Sequence, residues 1–171
     1  AGTLPLSLVV ITRDAAKELA ECLASGAFAS DIVVVDAGSR DDTVEIARRS
    51  GARVAVEPWR GFGPQKTFAV GMAAHDWVLC LDADERLTPE LAQAIGALFS
   101  SGPPAQPADA VARRNRFLGR WLAHGEGYAD WNVRLFDRRR ARWTDDPVHE
   151  HVVADGTVGR LAGDLLHASA E

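Results

Sequence analysis

The sequence predicts an α/β protein with a Rossmann-like, mostly parallel sheet flanked by helices, and two observations carry that prediction. From residue 6 to about residue 100, β-branched apolar runs alternate with segments of helical periodicity, the pattern of strands joined by crossover helices. Three of the four strand-like runs in that region end in clusters of Asp, Ser and Thr, at the edge of a parallel sheet where ligands bind.

Taken in order, the expected strands are Leu6–Thr12, Asp31–Asp36, Arg53–Glu57 and Trp77–Asp82. Between them Ala15–Ser25, Asp42–Ser50 and Pro64–Ala74 carry apolar residues at helical spacing, as Leu19, Cys22 and Leu23 do in the first. A fourth helix, Pro89–Ser100, follows Thr88 as N-cap, with proline at the favoured first position. Ser101–Asp109 is dense in Pro, Gly and Ala, has no periodicity, and reads as a linker or an edge loop. Beyond it the strand-like pieces Ala110–Phe117, Val133–Asp137, His149–Val153 and Thr157–Leu161 are expected to extend the sheet and form a rim facing a second substrate.

The 171 residues, 47% of them hydrophobic and 25% charged, suit one domain, residues 1–171, with halves at 1–100 and 110–171. A net charge of −5 argues against a general nucleic-acid binder, which needs a dominant basic face. Cys22 and Cys80 sit in apolar-periodic segments and read as small hydrophobes, with nothing asking for a disulfide-forming compartment. Leu4–Ile11 is too short to span a bilayer and lacks a basic leader, so a cytoplasmic location is expected, with peripheral membrane contact left open.

The second strand ends at Asp36 and runs into Ala37-Gly38-Ser39-Arg40-Asp41-Asp42-Thr43, a design that lets backbone and side chains grip a nucleoside; the alternative is a helix cap with surface acids. After the fourth strand Asp82, Asp84 and Glu85 place three carboxylates within four residues, where mutual repulsion is costly without a cation. Mg²⁺ or Mn²⁺ shared with a diphosphate relieves it, since these ions bind through one or two carboxylates plus phosphate oxygens. A solvated acidic loop ahead of a helix is the bland alternative.

The strings I-T-R-D, V-V-D-A-G-S-R-D-D-T, W-R-G-F-G-P-Q-K and L-D-A-D-E have the order and spacing of family 2 inverting glycosyltransferases, whose nucleotide-diphospho-sugar transferase fold is called GT-A. R-R-N-R-F-L-G-R-W, N-V-R-L-F-D-R and D-D-P-V-H-E resemble the subgroup that adds glucose to heptose of the lipopolysaccharide inner core. The resemblance implies a UDP-sugar donor and a saccharide or lipid-linked saccharide acceptor. It places Thr12 and Asp36 at the donor base, Asp82 at the ribose, and the second aspartate of the D-x-D motif, Asp84, on the metal. Gln65 and Lys66 then lie near the donor. An inverting reaction needs a carboxylate to accept the acceptor's proton. Asp130, four residues before Arg134, resembles the family's acidic motif, and Glu150 is the reserve. His149, following Pro147-Val148, is a candidate for the metal or the leaving diphosphate. Arg113, Arg114, Arg116, the run Arg138–Arg140 and Arg142 offer a basic surface for an anionic acceptor, and Trp121, Trp131 and Trp143 offer stacking faces for sugars.

Where the family continues its first motif with Asn-Glu this chain has Asp14-Ala15, so a carboxylate beside the base is missing. A dinucleotide-binding dehydrogenase is excluded because Thr12–Lys17 holds no glycine to admit a pyrophosphate. A sugar nucleotidyltransferase fails on the same missing loop. A non-catalytic nucleotide-sugar or glycan-binding module of the same fold is the remaining alternative.

Overall fold

The computed structural model describes residues 2–117, 120–121 and 130–167, with side chains described for all but 116, 117, 120 and 121. Leu118, Gly119 and the side chains of Arg116 and Trp121 therefore lie outside the described residues.

The chain runs β1 (Leu4–Thr12), α1 (Leu19–Ser25), β2 (Ala29–Asp36), α2 (Thr43–Arg49), β3 (Arg53–Val56), α3 (Phe62–Gly71), β4 (Trp77–Asp82), β5 (Glu85–Leu87), α4 (Pro89–Leu98), β6 (Ala108–Phe117), β7 (Arg120–Trp121), β8 (Asp130–Asp137), β9 (Ala141–Trp143), β10 (Val152–Ala154) and β11 (Val158–His167). The main sheet has the order β3-β2-β1-β4-β8-β6-β11-β5, with β7 paired to β6, and β9 and β10 form a separate ribbon. Strands β1 to β4 are mutually parallel, β8 runs antiparallel to both β4 and β6, and β11 is parallel to β6. Both halves of the chain thus share one sheet.

Period-two alternation sorts the strand residues onto two buried faces. Leu6, Leu8, Val10, Leu79 and Leu81 meet Leu19, Cys22, Leu23, Ala47, Leu91 and Ile95 of α1, α2 and α4. Val9, Val33, Val35, Val78 and Cys80 meet Ala69 of α3 and Trp143 of β9. Helices of seven residues, such as α1 and α2, are marginal alone and persist here because one face is buried.

The acidic segment after β4 is not a plain loop. Glu85–Leu87 forms β5, which pairs with β11 at the far edge of the sheet, His167 opposite Glu85 and Leu165 opposite Leu87. Thr88 caps α4 through Leu91 N–H at 3.3 Å, with Pro89 following. The segment expected as a linker is packed down instead: Pro104 and Pro107 are buried, and the Pro107 carbonyl accepts Asp137 N–H at 2.9 Å. The strand expected over His149–Val153 shortens to Val152–Ala154, so His149 and His151 do not share a strand face. No helix among the described residues is long and apolar enough to cross a membrane.

Gly163 shows how tightly β11 rests on α4. It lies at a register shift in β11 with φ +93°, and a Cβ there meets the Leu91 nitrogen at 2.4 Å. Gly163→Ala is expected to destabilise the fold by about 1–3 kcal/mol, measured as a lower urea midpoint at unchanged slope.

Candidate active site

Parallel register brings the polar strand ends together. Thr12 lies beside Asp36, and Ile11 beside Asp82, so the ends of β1, β2 and β4 form one rim.

Asp36 is 1% exposed and its carboxylate is fully engaged. Oδ1 accepts from Thr12 Oγ1 at 2.7 Å and Ser39 Oγ at 2.6 Å, and Oδ2 from the N–H groups of Gly38 and Ser39 at 2.9 and 2.7 Å. Burial alone raises its pKa, but these four donors outweigh that and hold it below the usual carboxylate range. The loop after β1 is bound to the loop after β2 in the same way. Asp14, at φ +49°, donates its N–H to Ser39 Oγ (2.7 Å) and accepts Arg40 N–H (2.8 Å), while Ala15 N–H donates to Thr43 Oγ1 (2.8 Å). These contacts replace the first turn expected for α1, which starts at Leu19 rather than Ala15.

The three carboxylates after β4 take three different partners. The Glu85 side chain is 0% exposed; it accepts Asp82 N–H at 2.7 Å, Arg113 Nε at 2.6 Å and Arg134 Nη2 at 2.9 Å, with a second contact from Arg134 Nη1. Burial works against the Arg134 charge, but Glu85 and Asp82 overcome it and raise its pKa. Asp82 lies 3.3 Å from Lys66 Nζ and 3.7 Å from Arg134 Nη2. Burial pushes its pKa up, and these cations more than reverse the shift, leaving it ionised at neutral pH. Lys66 also donates to Glu150 Oε2 at 2.7 Å and sits 4.3 Å over the Trp143 ring. Asp84 points elsewhere: its Oδ2 is 2.8 Å from His167 Nε2, and His167 Nδ1 is 2.9 Å from Asn115 Oδ1.

Two cavities meet at Asp82. One of about 540 Å³ is lined by Thr12, Arg13, Asp14, Ala15, Trp59, Phe62, Asp82, Asp84 and His167, among others. A second, of about 350 Å³, is lined by Lys66, Asp82, Arg113, Trp131, Asn132, Trp143, Glu150 and His151, among others. Of the residues singled out in the sequence, Thr12, Asp82 and Asp84 line the first cavity, and Lys66, Asp82, Arg113, Trp131, Trp143 and Glu150 the second.

The remaining candidates are placed differently. Asp36 stands behind the wall of the first cavity. Gln65 is buried and spends its amide on Arg60 N–H (3.1 Å) and the Glu57 carbonyl (3.0 Å), so it braces the turn before α3 and lines neither cavity. His149 is exposed, its N–H held by Asp146 Oδ1 at 2.7 Å, and it lines neither cavity. The Asp130 side chain is 52% exposed and 4.0 Å from Arg113 Nη1. The run Arg138–Arg140 sits at the opposite end of the strands, because β8 is antiparallel to β4 and its end pairs with Trp77. There Arg138 meets Asp76 while Arg139 and Arg140 meet Asp137.

His167 and Arg134 carry more of the site than their local sequence announces. Arg134 sits inside the apolar run Val133–Phe136, where an inward-facing cation demands a buried carboxylate. His167 has no local signal, since strand pairing across the chain delivers it.

Asp84 and His167 supply a carboxylate and an imidazole at one point, with Asn115 orienting the ring. That donor set fits Mg²⁺ or Mn²⁺ taking its other ligands from diphosphate and water. Among the described residues no group of three or more His, Cys, Asp or Glu side chains stands close enough to hold a metal by itself.

The family model for glycosyl transferase family 2 matches residues 7–156. The chain belongs to glycosyltransferase family 2. A lipopolysaccharide core biosynthesis glycosyltransferase, LpsC of Rhizobium meliloti, is 33% identical over 96% of this chain and 63% of its own length. An uncharacterized glycosyltransferase of Rickettsia conorii is 41% identical over 58% of this chain and 36% of its own. The chain thus spans about a third to under two thirds of these curated relatives. Mannosyl-3-phosphoglycerate synthase from Rubrobacter xylanophilus superposes with a TM-score of 0.68 at 18% identity, covering 98% of this chain and 67% of that one. Staphylococcus aureus TarS in complex with UDP-GlcNAc gives 0.56 at 22% identity, covering 71% and 37%. Glucosyl-3-phosphoglycerate synthase from Mycobacterium tuberculosis, with Mn²⁺ and UDP, gives 0.52 at 22%, covering 65% and 44%. At these identities the likeness establishes the GT-A fold.

Proposed function

We propose that this family 2 domain is the catalytic core of a metal-dependent inverting hexosyltransferase that moves glucose from a UDP-sugar to a saccharide acceptor, the heptose of a lipopolysaccharide inner core. The observation that carries the reading is the Asp84–His167 pair at the edge of a cavity of about 540 Å³ shared with Thr12 and Asp82. The resemblance of the later strings and the similarity to LpsC support the acceptor class. A lipid-linked acceptor places the domain peripherally at the inner face of the cytoplasmic membrane.

In this reading the first cavity takes the donor and the second the acceptor, and the two meet at Asp82. Asp84 and His167 would hold Mg²⁺ or Mn²⁺, which would supply positive charge to the departing diphosphate. The protein's own work is positioning and proton transfer. Asp36 holds Thr12 and the Gly38–Ser39 backbone in place. The acceptor hydroxyl attacks the anomeric carbon, the bond from that carbon to UDP breaks, and a carboxylate takes the hydroxyl proton. Glu150 is favoured over Asp130 as this base, because it lines the second cavity alongside Asp82 whereas Asp130 lines neither. Lys66 keeps one Glu150 oxygen engaged.

UDP release with a heptose-bearing acceptor and Mn²⁺ tests the function. Glu150→Gln is expected to lower turnover roughly 100- to 10,000-fold with UDP binding retained, and Asp130→Asn to lower it less than tenfold. An inactive Asp130→Asn beside an active Glu150→Gln reverses the assignment. Metal-dependent UDP binding with no turnover favours the binding module, and no UDP binding overturns the proposal.

A further inference from the structure

We propose that Trp59 and Phe62 form the surface on which the donor's nucleobase stacks, an inference that rests on the first cavity being the donor site. Both rings line that cavity, and each residue is 44% exposed. Trp77, Phe99, Phe136 and Trp143 are by contrast buried in the core. Leaving two large aromatics half open to water forgoes the burial such side chains ordinarily provide, so their presence on a cavity wall needs a ligand with an apolar face.

The polarity of the cavity says which ligand. Its polar edge is Asp82, the last residue of β4, with Asp84 just beyond it and His167 at the end of β11. Trp59 lies two residues beyond Glu57, which continues β3 and donates its N–H to the Asp36 carbonyl at 2.8 Å, on the side of β1 away from β4 in the order β3-β2-β1-β4. A nucleoside diphosphate has this polarity, with charge at one end and a planar π-system at the other. Ile11 and Ala15 line the same cavity.

The surface is built rigidly. The rings meet edge to face, centroids 4.9 Å apart at 87°. Phe62 N–H donates to the Pro147 carbonyl at 2.9 Å and Gly63 N–H to the Asp146 carbonyl at 3.0 Å. Gly63 permits that approach, since a Cβ there lies 2.2 Å from the Thr144 carbonyl oxygen. The buried Gln65 amide ties Arg60 N–H to the Glu57 carbonyl and so fixes the turn that carries Trp59. Ordering the aromatics beforehand removes an entropic cost from binding.

The test compares UDP, UDP-glucose and inorganic pyrophosphate, each titrated with Mn²⁺ into the wild-type chain and into Trp59→Ala, Trp59→Phe and Phe62→Ala. Trp59→Ala is expected to weaken UDP and UDP-glucose alike, by roughly 10- to 100-fold, to leave pyrophosphate unchanged, and to be largely rescued in Trp59→Phe. Phe62→Ala should act in the same direction, which covers the case of a poorly folded Trp59→Ala. UDP is also expected to quench tryptophan fluorescence in the wild type and much less in Trp59→Phe. An unchanged UDP affinity in both alanine variants overturns the proposal, as does equal loss of UDP and pyrophosphate. A loss confined to UDP-glucose overturns it in favour of a hexose face. Failure of the wild type to bind UDP is a distinct result that sinks the donor-site reading and this inference together.

Discussion

Glu85→Ala is expected to destabilise the fold by about 3–5 kcal/mol, which for a domain of this size lowers Tm by roughly 6–20 °C. The Glu85 carboxylate is wholly buried and receives Arg134, Arg113 and the Asp82 N–H. Removing it leaves Arg134, itself buried and too basic to discharge, with the Cys80 carbonyl at 3.4 Å and, as counter-charge among the described residues, Asp82 at 3.7 Å. The Coulomb gain of the intact cluster is partly cancelled by desolvation, so the loss reflects an uncompensated cation more than a missing bond. Accordingly the double variant Glu85→Leu with Arg134→Met should recover much of the Tm lost in Glu85→Ala, although Arg113 still loses its Glu85 contact. Differential scanning calorimetry separates the cases. A fall of less than about 3 °C in Glu85→Ala, about 1 kcal/mol or less on the same scale, would mean that Arg134 finds water and the cluster is not needed to hold the turn after β4.

The same cluster shows what the sequence reveals and what it hides. The run Trp77–Asp82 is an unbroken apolar strand ending in acid, and it folds with those bounds because nothing distant competes for it. The edges of α1 and α3 are displaced by contacts between loops: the Asp14–Ala16 turn is held by Ser39, Asp41 and Thr43, and α3 starts at Phe62 where the backbone docks on Asp146 and Pro147. Local periodicity cannot register such ties. At the site, three clustered carboxylates announce a cation, but not which cation each one meets. Glu85 turns inward to two arginines of β6 and β8, and Asp84 turns outward to a histidine 83 residues away. His149 follows Pro147-Val148 as in the family's string, yet that loop is committed to bracing the start of α3 through the Asp146 and Pro147 carbonyls.

The second large effect concerns the Asp84–His167 pair. Asp84→Ala and His167→Ala are each expected to abolish the Mn²⁺ enhancement of UDP binding and to lower turnover by on the order of a hundred- to a thousand-fold, the scale of a few kcal/mol of charge stabilisation at a departing diphosphate. Asn115→Ala, which removes the group on the other ring nitrogen of His167, should weaken Mn²⁺ affinity by roughly tenfold or more without abolishing it, as expected of a residue that orients a ligand. His149→Ala should change neither quantity. Titrations of Mn²⁺ at fixed UDP, followed by calorimetry, rank the four variants without relying on turnover. If His149→Ala removes the metal dependence and His167→Ala does not, the loop of residues 144–151 must close over the donor on binding and the pair seen at the end of β11 is only an ion pair. The geometry favours the first ordering because β11 is fixed to β5 by strand pairing at Leu165, Leu166 and His167. His167 is thereby held beside Asp84 before any ligand arrives, while His149 has to travel to reach it.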